Sequence, residues 1–201
     1  MPRKTGKIQS NKTVLLVVEG ETEQIYFSEM KSLERIPGIT VIPKMASHSS
    51  VYHILKKALN EQASLAYDSI WCVCDCDTIL RDGLTSDVQR MIKSAKEQGI
   101  QFADSLPSFE IWYLLHYAVP QQHYPNQDSV IKELQSYISG YDKSVRWLEH
   151  ARLYSLLKSL HHEAMANSES LARRNVNDRE STHCNVYKIF EELKCAPHGA
   201  Q

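Results

Sequence analysis

Blocks of apolar residues and blocks of amphipathic sequence alternate along the first half of the chain. Short, continuously apolar runs predict strands buried on both faces, and these runs lie at residues 13–18, 39–43, 69–74 and 100–103. The segments between them carry apolar side chains at helical spacing, which predicts helices at 22–34, from 51, at 85–98 and at 107–117. This alternation indicates an α/β protein with a mostly parallel, Rossmann-like sheet flanked by helices.

The pattern changes after Val119. A polar loop at 120–125 is followed only by helical periodicity, at 128–138, 143–165 and 181–194. We therefore predict three regions: a flexible basic arm at 1–12, an α/β core at 13–119, and a helical region at 120–201 that packs on the core.

Composition narrows the class of protein. The chain has 201 residues and a formal net charge of −1, so a nucleic-acid site would have to be a local basic patch. No apolar run approaches the roughly 18 residues of a membrane helix, and the basic start is not followed by a signal-peptide pattern. Five cysteines, three of them at Cys72, Cys74 and Cys76, do not form a secreted disulfide framework. We expect a cytoplasmic protein without a membrane partner.

Carboxylates follow two of the predicted strands directly. Glu19 ends the run at 13–18, while Asp75 and Asp77 end the run at 69–74. The carboxyl ends of parallel strands meet at one edge of a sheet, where ligands bind. Carboxylates gathered there repel one another unless a cation is present, so we expect Mg²⁺ or Mn²⁺. Solvent-facing turn or helix-capping roles are the alternative for these acids.

The three clustered cysteines point away from these acids in an extended strand. A zinc site draws its sulfur ligands to about 4 Å from one another, and cysteines in line along one strand converge poorly. His161-His162 and His183-Cys184 lack a matching ligand spacing. We therefore interpret the cysteines as buried core thiols rather than as zinc ligands.

Three segments resemble a known family: VVEGETEQIYF (17–27), DSIWCVCDCD (68–77) and PSFEIWYLLHY (107–117). They look like the RloB-like proteins, a Toprim-related family encoded near restriction loci and in abortive-infection systems. Residues 172–193 resemble the family more loosely. Relatives tend to read Phe-Asp-Arg-Asp-Asp in the middle segment, whereas Cys74, Cys76 and Thr78 stand here for the aromatic residue, the arginine and the final acid.

The resemblance implies a Toprim-like core and a metal-dependent nuclease that acts on RNA or DNA in antiphage defence, with tRNA as one candidate because some related Toprim proteins act on it. It makes Glu19 a general acid/base or metal contact and makes Asp75 and Asp77 metal ligands. Glu110, in the first turn of a predicted helix, is the next catalytic candidate. It is either a further metal ligand or a partner of the helix dipole.

A nuclease also needs positive charge to hold phosphates. The candidate nucleic-acid-binding residues lie in the C-terminal part and near the second predicted strand: Lys44, His48, Arg173, Arg174, Asn175, Arg179 and Lys188. A solvated helix terminus is the alternative interpretation of the C-terminal group.

Two other functions remain open. A non-catalytic Toprim-like module could act as partner or regulator of an ATPase from the same locus, and the replacements at Cys76 and Thr78 favour that alternative. A phosphoacceptor receiver domain is also α/β and acidic, but its paired acids would follow the first strand rather than the third.

Overall fold

The computed structural model describes residues 12–36, 39–46, 50–76, 85–175 and 181–194. Five strands form one sheet, and their bounds are β1 Lys12–Val18, β2 Ile39–Met45, β3 Ser69–Asp75, β4 Gln101–Leu106 and β5 His183–Cys184. Their order is β2-β1-β3-β4-β5; β1 to β4 are parallel and β5 runs antiparallel to β4. The predicted α/β class with a mostly parallel sheet is confirmed.

The described helices connect and follow these strands. Their bounds are α1 Glu21–Glu34, α2 Val51–Ala63, α3 Ser86–Glu97, α4 Glu110–Leu115, α5 Gln127–Leu134, α6 Val145–Ala151, α7 Leu153–Leu157, α8 His161–Arg174 and α9 Tyr187–Lys194, with a 3₁₀ turn at Lys158–Leu160. Side-chain oxygens of Ser50 and Thr85 cap α2 and α3, and Gly99 follows α3 with a φ of +80°. None of these helices is long and apolar enough to cross a lipid bilayer.

Each face of the sheet has its own apolar core. Leu15 and Val17 of β1 pack, with Cys72 of β3, on the face covered by α2 and α3. Val18 of β1 and Val73 of β3 point to the other face, where α1, α4 and the C-terminal helices pack. The central strands are therefore buried on both faces, which explains why they are continuously apolar in the sequence.

The C-terminal half is helical, as predicted, but its elements differ in detail. The helix expected at 143–165 is interrupted at Arg152, whose φ of +50° lies in the left-handed region and ends α6. The helix expected at 181–194 begins only at Tyr187, because His183 and Cys184 form β5. A two-residue strand is too short to produce a periodic pattern.

The helix predicted at 107–117 is also shorter than expected. Ser105 and Leu106 extend β4 and pair with β5, and α4 begins only at Glu110. The predicted basic arm lies outside the described residues except for Lys12. That lysine begins β1, and its Nζ lies 2.6 Å from Glu192 Oε1 on α9. The proposed division of the chain at residue 119 stays a prediction.

Candidate functional site

Glu19 and Asp75 meet at the carboxyl edge of the sheet. They follow or end β1 and β3, which are neighbours with Val18 opposite Val73. The backbone N–H of Asp75 donates a hydrogen bond to Glu19 Oε2 at 3.0 Å. Because β1 and β3 are parallel and adjacent, the two acidic residues lie together at one end of the sheet.

Two further glutamates approach this edge from helices. Glu23, in the first turn of α1, is only 4% exposed, and its Oε2 accepts a hydrogen bond from the Gly20 N–H at 3.1 Å. Glu110, the first residue of α4, is fully buried. Glu19, Glu23, Asp75 and Glu110 are close enough to act on one another electrostatically, and we call them the acidic cluster.

Glu110 of the acidic cluster forms an ion pair with Lys143. Its Oε1 lies 3.0 Å from Lys143 Nζ and accepts a hydrogen bond from the Tyr141 hydroxyl at 3.0 Å, while its Oε2 accepts one from Gln127 Nε2 at 3.0 Å. Burial alone would raise the pKa of Glu110, but the Lys143 charge and these hydrogen bonds outweigh burial and lower it. Glu110 is therefore ionised at neutral pH.

Asp75 and Glu23 behave in the opposite way. Burial, followed by the nearby Glu23, Glu110 and Glu19, raises the pKa of Asp75 well above its usual range. Burial is also the main reason why the pKa of Glu23 rises from 4.5 to about 7. These two carboxyls bind protons readily because burial and the neighbouring carboxylates outweigh the charge of Lys143.

One buried carboxylate oxygen in the acidic cluster has no hydrogen-bond partner among the described residues. Asp75 Oδ1 is buried and accepts no hydrogen bond from any residue within the described ranges. A buried polar atom without a partner is costly and calls for a proton or a cation. The donor set consists of carboxylate oxygens, so it fits a hard divalent ion such as Mg²⁺ or Mn²⁺.

The sequence pattern does not identify Glu23 and Lys143 as members of this site. It places them simply at the starts of the helices predicted at 22–34 and 143–165. Glu23 carried one usable signal, since a first-turn glutamate that follows a strand end can fold back towards it. Lys143 carried none, because only the tertiary fold brings it to Glu110. The predicted ligand Asp77 lies outside the described residues.

A second cluster lies at the same end of the sheet. Cys76 Sγ is 3.6 Å from Asp104 Oδ2, and His183 Nε2 is 3.2 Å from that same oxygen. One ligand atom from each of the three residues lies within 4.8 Å of the others, and all three residues are partly buried. The absence of a matching spacing around His183 was therefore misleading, because β5 brings this histidine to Asp104 from a distant part of the chain.

The other clustered cysteines are core residues, as predicted. Cys72 is fully buried and Cys74 is 5% exposed, both on the face covered by α2 and α3. Burial raises the pKa of the Cys72 thiol to about 12, so it stays protonated at neutral pH.

The candidate nucleic-acid-binding residues do not form one patch among the described residues. Lys44 lies on β2 at one edge of the sheet, where its Nζ lies 3.1 Å from Glu61 and 2.7 Å from the Tyr67 hydroxyl. The others lie near β5 at the opposite edge: Arg173, Arg174, Asn175 and Lys188. His48 and Arg179 lie outside the described residues.

Two of the residues near β5 donate hydrogen bonds to backbone carbonyls of the protein itself. Asn175 Nδ2 donates a hydrogen bond to the Thr182 carbonyl at 2.6 Å, and the Arg174 guanidinium donates one to the Pro120 carbonyl. Arg173 is exposed and lies 3.5 Å from Glu169, while Lys188 Nζ lies 5.8 Å from the centre of the Tyr187 ring. Arg173 is thus the arginine of this group with the greatest freedom to meet a ligand.

Comparison with known proteins gives the chain a family. No curated protein matches the sequence significantly. The family model for RloB-like proteins matches residues 14–193, a span that begins in β1, ends in α9 and contains both clusters. The match covers the three segments that first suggested this resemblance as well as the C-terminal helices. The chain therefore belongs to the RloB-like protein family.

Proposed function

We propose that this protein is a metal-dependent nuclease, and that the acidic cluster is its active site. The observation that carries the proposal is the buried, unpartnered Oδ1 atom of Asp75 among three glutamates. Carboxylates held so closely, with Lys143 as the cation beside them among the described residues, form a site that gains from a divalent cation. Membership of the RloB-like family supports a role in antiphage defence.

The residues of the acidic cluster and their neighbours have different roles. Asp75 and Glu19 supply the oxygen atoms that would hold Mg²⁺ or Mn²⁺, with Asp77 as a further candidate ligand. Lys143, Tyr141 and Gln127 hold the Glu110 carboxylate, each through a contact of 3.0 Å. When bound, the ion polarises the phosphate group and offsets the charge that develops on it.

Glu23 is suited to move a proton in such a reaction. A pKa of about 7 lets this carboxyl accept or donate a proton near neutral pH. Burial of its side chain keeps bulk water from competing for that proton. We therefore add Glu23 to Glu19, Asp75, Asp77 and Glu110 as a candidate catalytic residue.

The substrate is RNA, with tRNA as one candidate, or DNA. Lys44, His48, Arg179 and the described group near β5 are candidates for holding its phosphates. Arg173 is the best-placed cation of this set because it is exposed on the last turn of α8. A local patch of this kind is compatible with a net charge of −1.

The test is a cleavage assay with the full chain. The protein is incubated with total RNA and with plasmid DNA in Mg²⁺, Mn²⁺ or EDTA, and we expect metal-dependent fragments of one polymer. Asp75→Asn and Glu19→Gln should abolish cleavage without lowering the melting temperature. Glu21→Gln is the matched control, because Glu21 is exposed on the same turn as Glu23. Undiminished cutting by both active-site variants would refute the proposal.

The second candidate function is a non-catalytic partner of an ATPase. The replacement of the family's arginine by Cys76, beside Asp75, favours it. Absence of cleavage over a panel of nucleic acids, together with stable co-purification with an ATPase from the same locus, would support this alternative over the nuclease.

A further inference from the structure

Cys76, Asp104 and His183 form a cluster that is separate from the proposed active site. Side chains alternate between the two faces of a strand, so Cys76 points away from the side of Asp75. Trp71 and Val73 share the face of Asp75, whereas Cys72 and Cys74 share that of Cys76. The two clusters thus lie at the same end of the sheet but on opposite faces.

We propose that Cys76, Asp104 and His183 bind a zinc ion that ties the end of β3 to β4 and β5. Each ligand belongs to, or directly follows, a different strand. The three residues supply one sulfur, one oxygen and one nitrogen atom within 4.8 Å of one another. This inference does not depend on the proposed nuclease activity.

The spacing of the ligand atoms fits a tetrahedral zinc site. Zinc–ligand bonds of about 2.0–2.3 Å at tetrahedral angles place sulfur about 3.6 Å from oxygen and nitrogen about 3.4 Å from oxygen. The observed separations from Asp104 Oδ2 are 3.6 Å for Cys76 Sγ and 3.2 Å for His183 Nε2. Cys76 Sγ and His183 Nε2 lie within 4.8 Å of each other, against about 3.6 Å for the same two ligand atoms around a tetrahedral zinc ion.

The histidine is oriented as a metal ligand would be. His183 Nδ1 lies 3.0 Å from the Ser181 carbonyl oxygen, which can only accept a hydrogen bond, so Nδ1 carries a proton. In the neutral ring Nε2 then has a lone pair, and that lone pair faces a carboxylate oxygen of Asp104. A proton on Nε2 makes this contact an ion pair at the observed 3.2 Å, and a zinc ion would take the place of that proton. A backbone carbonyl on the remote nitrogen is the usual support for a zinc-binding histidine.

The carboxylate has a supporting partner as well. Asn185 Nδ2 donates a hydrogen bond to Asp104 Oδ1 at 2.9 Å, which leaves Oδ2 turned towards Cys76 and His183. The Asn185 N–H also donates to the Asp104 carbonyl oxygen at 2.8 Å and fixes the two strands side by side. Both oxygens of Asp104 therefore have defined tasks, one orienting and one binding.

The mixed donor set selects zinc over the ion expected in the acidic cluster. Thiolate and imidazole favour borderline ions such as Zn²⁺, whereas Mg²⁺ prefers oxygen ligands only. Three protein ligands leave a fourth position for water. Since Cys76 follows Asp75 directly, zinc at this site would position the strand end that carries Asp75.

The test measures zinc directly and requires no nuclease activity. Metal-free full-length protein is titrated with Zn²⁺ against a chromophoric chelator, and with Co²⁺ while its absorption spectrum is recorded. We expect one tightly bound equivalent of zinc and a thiolate-to-cobalt charge-transfer band. Wild-type protein that lacks this band, or binds no zinc, would overturn the proposal even if every variant misfolded.

Variants then assign the ligands. Asn185→Ala, which removes a supporting partner of Asp104, should weaken zinc binding about 10- to 100-fold. Cys76→Ser and His183→Gln, which remove ligands, should weaken it by at least as much. The control His162→Gln, at an exposed histidine, should bind zinc as wild type does. Unchanged affinity in Cys76→Ser would place the zinc elsewhere and overturn the proposal.

Discussion

Replacing Glu23 by glutamine tests whether ionisation of the acidic cluster lowers the free energy of unfolding. Glutamine keeps the shape of the side chain and an oxygen atom that can accept the Gly20 N–H, which now lies 3.1 Å from Glu23 Oε2. It removes only the ability to ionise. We expect Glu23→Gln to be more stable than wild type above neutral pH and equally stable near pH 4.

The magnitude follows from the raised pKa. A carboxyl with a higher pKa in the folded state binds more protons there than in the unfolded chain, so the free energy of unfolding falls as the pH rises between the two pKa values. For Glu23 this window runs from 4.5 to about 7. At about 1.4 kcal/mol per pKa unit, the total effect is about 3 kcal/mol, most of it between pH 5 and pH 8.

Urea unfolding at several pH values, in EDTA, measures this difference. The difference in free energy of unfolding between Glu23→Gln and wild type should grow to about 3 kcal/mol by pH 8. Mg²⁺ should reduce this difference, because a cation stabilises the ionised carboxylates of the wild-type protein. Glu21→Gln, at the exposed neighbour, should follow wild type throughout. If the difference in free energy of unfolding between Glu23→Gln and wild type does not vary with pH, the pKa of Glu23 is not raised in the folded protein.

Two further predictions concern positive charge. Lys143→Met should lower the free energy of unfolding at pH 7 by about 1–2 kcal/mol, because it leaves the buried Glu110 carboxylate without its cation. The loss should shrink in acid, where Glu110 becomes protonated. An equal loss in the control Lys132→Met would contradict this explanation. Arg173→Ala should weaken binding to nucleic acids of every sequence by a similar factor. It should also reduce the slope of log affinity against log salt concentration by about one. Both effects are measured by fluorescence titration of labelled nucleic acid at several salt concentrations, in which Lys93→Ala, also in an exposed i,i+4 ion pair, should bind as wild type does.

The sheet could largely be predicted from the sequence, because its central strands are buried on both faces and leave continuous apolar runs. β5 could not, since two residues carry no period and their pairing with β4 depends on contacts 79 residues apart in the chain. The break at Arg152 was missed for a related reason: its left-handed φ of +50° has no sequence signature at an arginine.

The candidate site was predictable to a similar extent. Glu19 and Asp75 were found because each lies at the end of an apolar strand, and parallel strands bring their carboxyl ends together. Lys143 and His183 were missed because they reach their partners only through the packing of the C-terminal half. Local patterns indicate where a strand ends, whereas long-range packing decides which charges meet there.

Calorimetric titration with Mn²⁺ is the sharpest test of a divalent-cation site in the acidic cluster. In two buffers of different ionisation enthalpy at pH 6.5, wild type and Cys76→Ser should bind Mn²⁺ and release protons, because the pKa values of Asp75 and Glu23 are raised. Asp75→Asn should lose most of this binding. Wild-type protein that binds no Mn²⁺, or Asp75→Asn that binds it equally well, would contradict a divalent-cation site in the acidic cluster.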